Sequence, residues 1–211
     1  QMCIRDRNYN NQHRVDSLYS KGWNLSLAKS VYEANCDQDE NDYESTPLGK
    51  EQKSFPYSLT QFIGKDYGKI ASTPWGNTIL EELAEQAIIN ENMGKDDITD
   101  LLAVSFSSPD YIGHSFGPDS WETMDGYIKL DATLAALFAV LDKQVGKENY
   151  SVFLTADHSV AHVPGFSKKH QLPGGVISED QLKKDLSSYL VSKGFDAKLI
   201  STIREYNVHF N

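Results

Sequence analysis

Apolar positions recur at two different periods along the chain. Ile79, Leu80, Leu83, Ala87 and Ile88 repeat at helical spacing, which predicts an amphipathic helix over about 76–92. Met124, Tyr127, Leu130, Leu134, Leu137 and Leu141 form a longer stripe of the same kind, with Gly146 placed to stop it. Two short, nearly continuous apolar runs flank that second helix: Asp-Leu-Leu-Ala-Val-Ser-Phe over 100–106 and Tyr-Ser-Val-Phe-Leu-Thr over 150–155. Runs of this kind suit strands buried on both faces. Strand, helix, strand is a βαβ unit, which predicts neighbouring parallel strands and a right-handed crossover, and so an α/β fold class. A short helix is expected around Val15–Lys21. Ser178-Glu-Asp-Gln181 resembles a capping box for a helix reaching about Lys193. The segment 198–210 alternates enough for one or two strands.

Residues 8–72 lack this order. They are polar, rich in Tyr, Asn and Asp, and weakly periodic, so they are expected as a loop-rich insert region before an α/β core at 73–211. The acidic run 36–45 alternates Asp37, Asp39 and Asn41 as a calcium loop does. Asp42 stands where such a loop turns on Gly, and Leu48 where it ends on Glu, so a solvated loop is the better reading. The first seven residues, Gln-Met-Cys-Ile-Arg-Asp-Arg, resemble a translated transposase adapter of the kind used in DNA library preparation. Residues 1–7 are therefore read as a non-native scar, and 8–211 as a partial domain with its N- and C-terminal parts missing. With Cys3 set aside, Cys36 stands alone and supports no disulfide argument.

The 211 residues, 39% of them hydrophobic, suit one domain or a large piece of one. The net charge of −10 leaves no basic stripe to hold a nucleic-acid backbone, so no nucleic-acid partner is expected. No apolar run approaches the roughly 20 residues that span a bilayer. An acidic protein that acts on an anion must gather positive charge locally, and bound metal ions do so without basic residues.

The loop segments after the two apolar runs carry the candidate chemistry. The first, 105–118, reads Ser-Phe-Ser-Ser-Pro-Asp-Tyr-Ile-Gly-His-Ser-Phe-Gly-Pro. The second, 154–162, reads Leu-Thr-Ala-Asp-His-Ser-Val-Ala-His. Ligands in open α/β sheets bind just beyond the carboxyl ends of the strands. Asp110 and His114 sit at one such end, Asp157 and His158 at the other, so four donors from distant segments are expected to converge. Carboxylate and imidazole donors suit zinc or another divalent transition metal. The four-residue spacing of Asp110 and His114 is that of one helical face. Pro109 and Gly113 argue instead for a tight turn in which Gly113 leaves room for His114. His162 is a candidate for a residue that orients a ligand from behind. Lys168, Lys169 and His170 read as a solvated loop more readily than as an anion-greeting rim. Ser107 and Ser108 lack the Gly-x-Ser-x-Gly of a serine hydrolase. Tyr111 and Phe116 suit either a pocket wall or the core.

Segments 108–118 and 155–166 resemble the metal-binding segments of the alkaline phosphatase superfamily. They are most like its phosphate-irrepressible bacterial branch, which is similar to the nucleotide pyrophosphatase/phosphodiesterases. Ser-Thr-Pro-Trp-Gly-Asn-Thr at 72–78, together with 102–118 and 152–166, follows the order and spacing of that branch, and nearly all of 8–211 can be placed in it. The resemblance implies a three-layer α/β/α sandwich with a mostly parallel central sheet. It implies two Zn2+ ions in the intact protein, Asp110 and His114 matching ligands of the first, Asp157 and His158 of the second. It places a further His beyond residue 211. An Asp, a nucleophilic Thr or Ser and the oxyanion-binding Asn, Lys and Arg lie before residue 8. His162 and His209 do not match the missing His, and Ser159 stands where Gly is common. The implied activity is hydrolysis of small-molecule phosphate monoesters in the periplasm or outside the cell, through a phosphorylated Thr or Ser. This piece alone is expected to be inactive. The alternatives are a phosphodiesterase or nucleotide pyrophosphatase on the same scaffold, and a catalytically dead metal- or phosphate-binding relative.

Overall fold

The computed structural model describes residues 4–204 and 207–211, with the side chains of 4–6 excepted. Of the supposed adapter scar, Gln1–Cys3 therefore lie outside the described residues, as do Glu205 and Tyr206 of the tail. The chain divides into two units, Gln1–Val163 and Pro164–Asn211.

The first unit holds six α-helices among its described residues: α1 (Ile4–Asn10), α2 (Arg14–Lys21), α3 (Lys29–Asn35), α4 (Trp75–Asn90), α5 (Ser108–Phe116) and α6 (Trp121–Gln144). α2, α4 and α6 fall where the periodicity places them. Ala84 and Ile88 of α4 meet Leu137 of α6 in one buried cluster. The inner stripe of α6 is narrower than the sequence suggests, because Tyr127 points outward and is 55% exposed.

The polar segment 8–72 supplies five of the seven buried residues of one core cluster. Tyr19, Trp23, Leu48, Tyr57 and Leu59 are buried with Ile112 and Phe116 of α5. Trp23 and Tyr57 exchange backbone hydrogen bonds at 2.8 and 3.0 Å. Their approach depends on Gly22, whose φ of 62° suits glycine and whose missing Cβ would lie 2.7 Å from the Tyr57 carbonyl oxygen. Around them Trp23, Phe55, Tyr57 and Phe116 pack ring to ring at centroid separations of 5.0 to 6.3 Å. Such burial adds large apolar areas without any regular period.

α5 corrects the expectation of a tight turn. Pro109 falls in the first helical turn, where a missing N–H costs no bond. Gly113 costs about 1 kcal/mol in a helix interior. Burying Ile112 and Phe116, four residues apart on the inner face, outweighs that cost. Nothing lies within 4 Å of a Cβ added at Gly113, so it is not there to make room.

The expected pair of buried parallel strands is not formed among the described residues. Residues 101–107 and 150–155 have no regular secondary structure and join no ladder among the described residues. Val104 and Phe106 rest on the α4–α6 cluster, while Leu101 is 91% exposed. Phe153 and Leu154 are 95% and 80% exposed. A doubly buried strand needs hydrogen-bonded neighbours on both edges and a layer on each face. The described residues supply one face to the first segment and neither to the second.

The buried start of α6 carries a titratable group with a measurable consequence. Glu122 is wholly buried and accepts the Tyr57 hydroxyl at 2.5 Å, while its Oε2 finds no partner among the described residues. Burial pushes its pKa from the ordinary 4.5 up to about 8, with the Tyr57 bond only partly opposing. Between those values the folded protein keeps a proton that the unfolded chain has lost. Stability from this group is therefore full below pH 4.5 and declines as pH rises toward about 8. The slope is at most about 1.4 kcal/mol per pH unit. Glu122→Gln is expected to flatten that decline in urea unfolding at stepped pH. An unchanged slope in the variant would remove Glu122 as its source.

The second unit contains α7 (Pro164–Lys169), α8 (Glu179–Ser192) and an antiparallel pair, β1 (Ile200–Arg204) with β2 (Asn207–Phe210). Ser178 caps α8 by accepting the Gln181 N–H at 3.2 Å, as the capping box predicts. α8 packs on β1, burying Ile200 and Ile203.

Candidate metal centre

Asp110 and His114 stand on the outer face of α5, opposite the buried Ile112 and Phe116. Their seat is set by residues around the helix start. The Asn77 side-chain oxygen accepts the Ser108 N–H at 3.3 Å. Gly76 lets the two segments touch, since a Cβ there would fall 2.4 Å from Ser108 Oγ. The Ser-Thr-Pro-Trp-Gly-Asn-Thr segment thus docks the start of α4 against the start of α5. At the other end Gly117, with φ of 93°, closes the helix by donating to Gly113.

Asp157 and His158 arrive on the irregular segment after 150–155. One carboxylate oxygen, Asp110 Oδ1, lies 3.5 Å from His114 Nε2 and 3.4 Å from His158 Nε2. Asp157 Oδ2 is 3.8 Å from the same His158 nitrogen. His114 and His158 therefore meet at Asp110, while Asp157 stands only beside its neighbour His158. His158 Nδ1 sits 2.9 Å from the Ser159 carbonyl. A carbonyl only accepts, so Nδ1 donates to Ser159, and Nε2 is the nitrogen that faces Asp110. That bond, together with the charges of Asp157 and Asp110, pushes the His158 pKa up. Ser159 serves without glycine's freedom, since its φ is not positive.

The donor set, two carboxylates and two imidazoles, fits a divalent transition metal in kind. In number it is spare. Among the described residues no three such groups gather closely enough to enclose an ion. The four side chains are 42 to 91% exposed, leaving the cluster open to further donors.

Other candidates sort themselves by place. His162 bonds through Nδ1 to Asp119 Oδ2 at 2.7 Å, a partner the sequence did not suggest. Phe116 belongs to the core and Tyr111 is half-exposed. Ser108 is buried under Asn77, and the Ser107 hydroxyl pairs with that of Ser105. Lys168 and Lys169 end α7, and His209 lies opposite Thr202 in the hairpin. Asp37 and Asp39 of the acidic run accept from Tyr43 and the Phe55 N–H. Asp119, Asn77 and the Ser159 carbonyl escaped sequence reasoning because their bonds carry no residue-type signature.

Residues 6–200 match the family model described as type I phosphodiesterase / nucleotide pyrophosphatase, and the chain belongs to that family. It is 41% identical over 207 residues to alkaline phosphatase PafA of Elizabethkingia meningoseptica, covering 96% of this chain and 37% of the relative. It is 38% identical over 208 residues to a Myroides odoratus protein named calcium-transporting ATPase (97% and 38% covered). It is 39% identical over 203 residues to alkaline phosphatase PhoV of Synechococcus elongatus (96% and 36%). The crystal structure of wild-type PafA superposes with a TM-score of 0.90 at 39% identity, covering all of this chain and 40% of that one. The chain thus has the fold of the corresponding part of that alkaline phosphatase and spans two fifths or less of the length of these relatives.

Proposed function

We propose that this chain carries part of the active centre of a phosphoric ester hydrolase, with Asp110, His114, Asp157 and His158 as ligands for two zinc ions. The observation that carries the reading is the convergence of both imidazoles on Asp110 Oδ1, at 3.5 and 3.4 Å, from segments more than forty positions apart. Ions held there would supply positive charge to a phosphate ester and lower the pKa of a bound hydroxyl. Asp110 and His114 set one pair of donors on a rigid helix. Asp157 and His158 present the other pair from a loop, with the His158 proton fixed on Nδ1 by Ser159. With two protein donors per ion, the remaining ligands, the nucleophilic Thr or Ser and the oxyanion donors would come from the rest of the whole protein. The same remainder would pair 101–107 and 150–155 into the parallel sheet of a three-layer sandwich. The favoured substrate is a small-molecule phosphate monoester, met in the periplasm or outside the cell. The names of PafA and PhoV support that choice. A diester reading is favoured by the phosphodiesterase/pyrophosphatase description of the matching family model.

The test compares kcat/KM for an aryl phosphate monoester and the matching diester on the zinc-loaded whole protein. The expected result is a strong monoester preference that a chelator abolishes. Diester preference would reassign the substrate and keep the site. No turnover of either ester, with zinc bound, would make the protein a catalytically dead relative.

A further inference from the structure

From Ser151 to Ala161 no described residue takes part in a backbone–backbone hydrogen bond. The segment that carries Asp157 and His158 therefore has no ladder or helix to hold it in place. Yet a metal-binding pair must be held within a fraction of an ångström of its partners to act. What holds it is found at its far end. His162 Nδ1 donates to Asp119 Oδ2 at 2.7 Å, and the next residue, Val163, lies over Gly117, within 3.4 Å of where a Cβ would stand.

Asp119 is itself on a stiff base. The Gly117 carbonyl accepts the Ser120 hydroxyl at 2.9 Å and the Thr123 hydroxyl at 2.7 Å. The Ser120 oxygen in turn accepts the Thr123 N–H at 3.1 Å, capping α6. This turn is the direct continuation of α5, which carries Asp110 and His114. The bond thus ties the loop bearing one donor pair to the element bearing the other.

We propose that His162 and Asp119 form a clasp that positions the Asp157–His158 pair against α5, making them positioning residues for metal capture. The inference rests on the metal-site reading above. A half-exposed bond to a carboxylate contributes little to global stability. It can raise metal affinity by no more than its own free energy, which corresponds to roughly tenfold.

The experiment uses the whole protein with Asp119→Ala, His162→Ala, the double variant and His162→Asn, whose amide can still donate to Asp119. Zinc affinity is read by competition with a chromogenic chelator, and loop opening by amide hydrogen exchange over 155–161. Each single alanine variant is expected to bind zinc roughly tenfold more weakly, the double no more weakly than either single, and His162→Asn near the parent. Exchange in the loop should rise in the alanine variants while the unfolding midpoint stays put. Unchanged affinity and exchange in both single variants would overturn the clasp, as would additive losses in the double. If the parent itself holds no zinc, the metal-site reading fails, and the exchange data still decide whether the clasp orders the loop.

Discussion

Replacing Asp110 by alanine in the whole protein is expected to lower kcat/KM by about 100-fold or more while leaving the fold intact. Asp110 is the carboxylate both imidazoles face, so its loss removes a donor and the oxygen on which His114 and His158 meet. Metal ions that polarise phosphoryl oxygens contribute several kcal/mol to the transition state. Each 1.36 kcal/mol is tenfold in rate, so losing two such increments gives the stated factor. Stability should change by less than about 0.5 kcal/mol, because Asp110 lies half-exposed on the outer face of α5. Steady-state kinetics on zinc-loaded protein beside a thermal melt separate the two effects. Activity within threefold of the parent would remove Asp110 from the site.

Asp125→Ala is expected to do the opposite, costing about 3–5 kcal/mol of folding stability. Asp125 is fully buried on α6. Its Oδ2 accepts the Trp23 indole N–H at 2.6 Å and Lys129 at 2.5 Å. Its Oδ1 accepts the Ser26 N–H and the Tyr32 hydroxyl, each at 2.7 Å. One side chain thus pins the aromatic segment 23–32 to α6. Truncation would leave a largely buried ammonium and three donors without their acceptor. Burial alone would raise its pKa, but the bonds from Lys129, Trp23 and Tyr32 together hold it below the ordinary 3.8. Its stabilising share is therefore full above that value and lost as acid carries the pH below it. Urea unfolding reads the cost. For comparison, the exposed Lys29–Glu33 pair should be worth under about 1 kcal/mol. An Asp125→Ala loss as small as that would mean the network is ornamental.

The two predictions mark where sequence reading succeeds and where it stops. α4 and α6 were legible because their apolar residues repeat every three or four positions, and α8 because Ser178 announces its start. α5 was misread because Pro109 and Gly113 speak locally, whereas Ile112 and Phe116 win through contacts with Trp23 and Tyr57, far away in sequence. The core within 8–72 was missed for the same reason. Trp23, Tyr32 and Tyr57 follow no period, and their partners Asp125 and Glu122 lie about a hundred or sixty-five positions on. The apolar runs at 100–106 and 150–155 were recognised, but strand pairing depends on neighbours that composition does not name. The four candidate ligands were named from the sequence because Asp and His directly after an apolar run stand out there. The groups that aim them could not: Asn77, the Ser159 carbonyl and Asp119 work through position alone.

The most direct test of the central claim is a crystal structure of the whole protein grown with zinc, with an anomalous difference map taken at the zinc absorption edge. The account predicts two peaks, one against Asp110 and His114 and one against Asp157 and His158. A zinc-dependent, active crystal with its anomalous peaks away from these four side chains would contradict it.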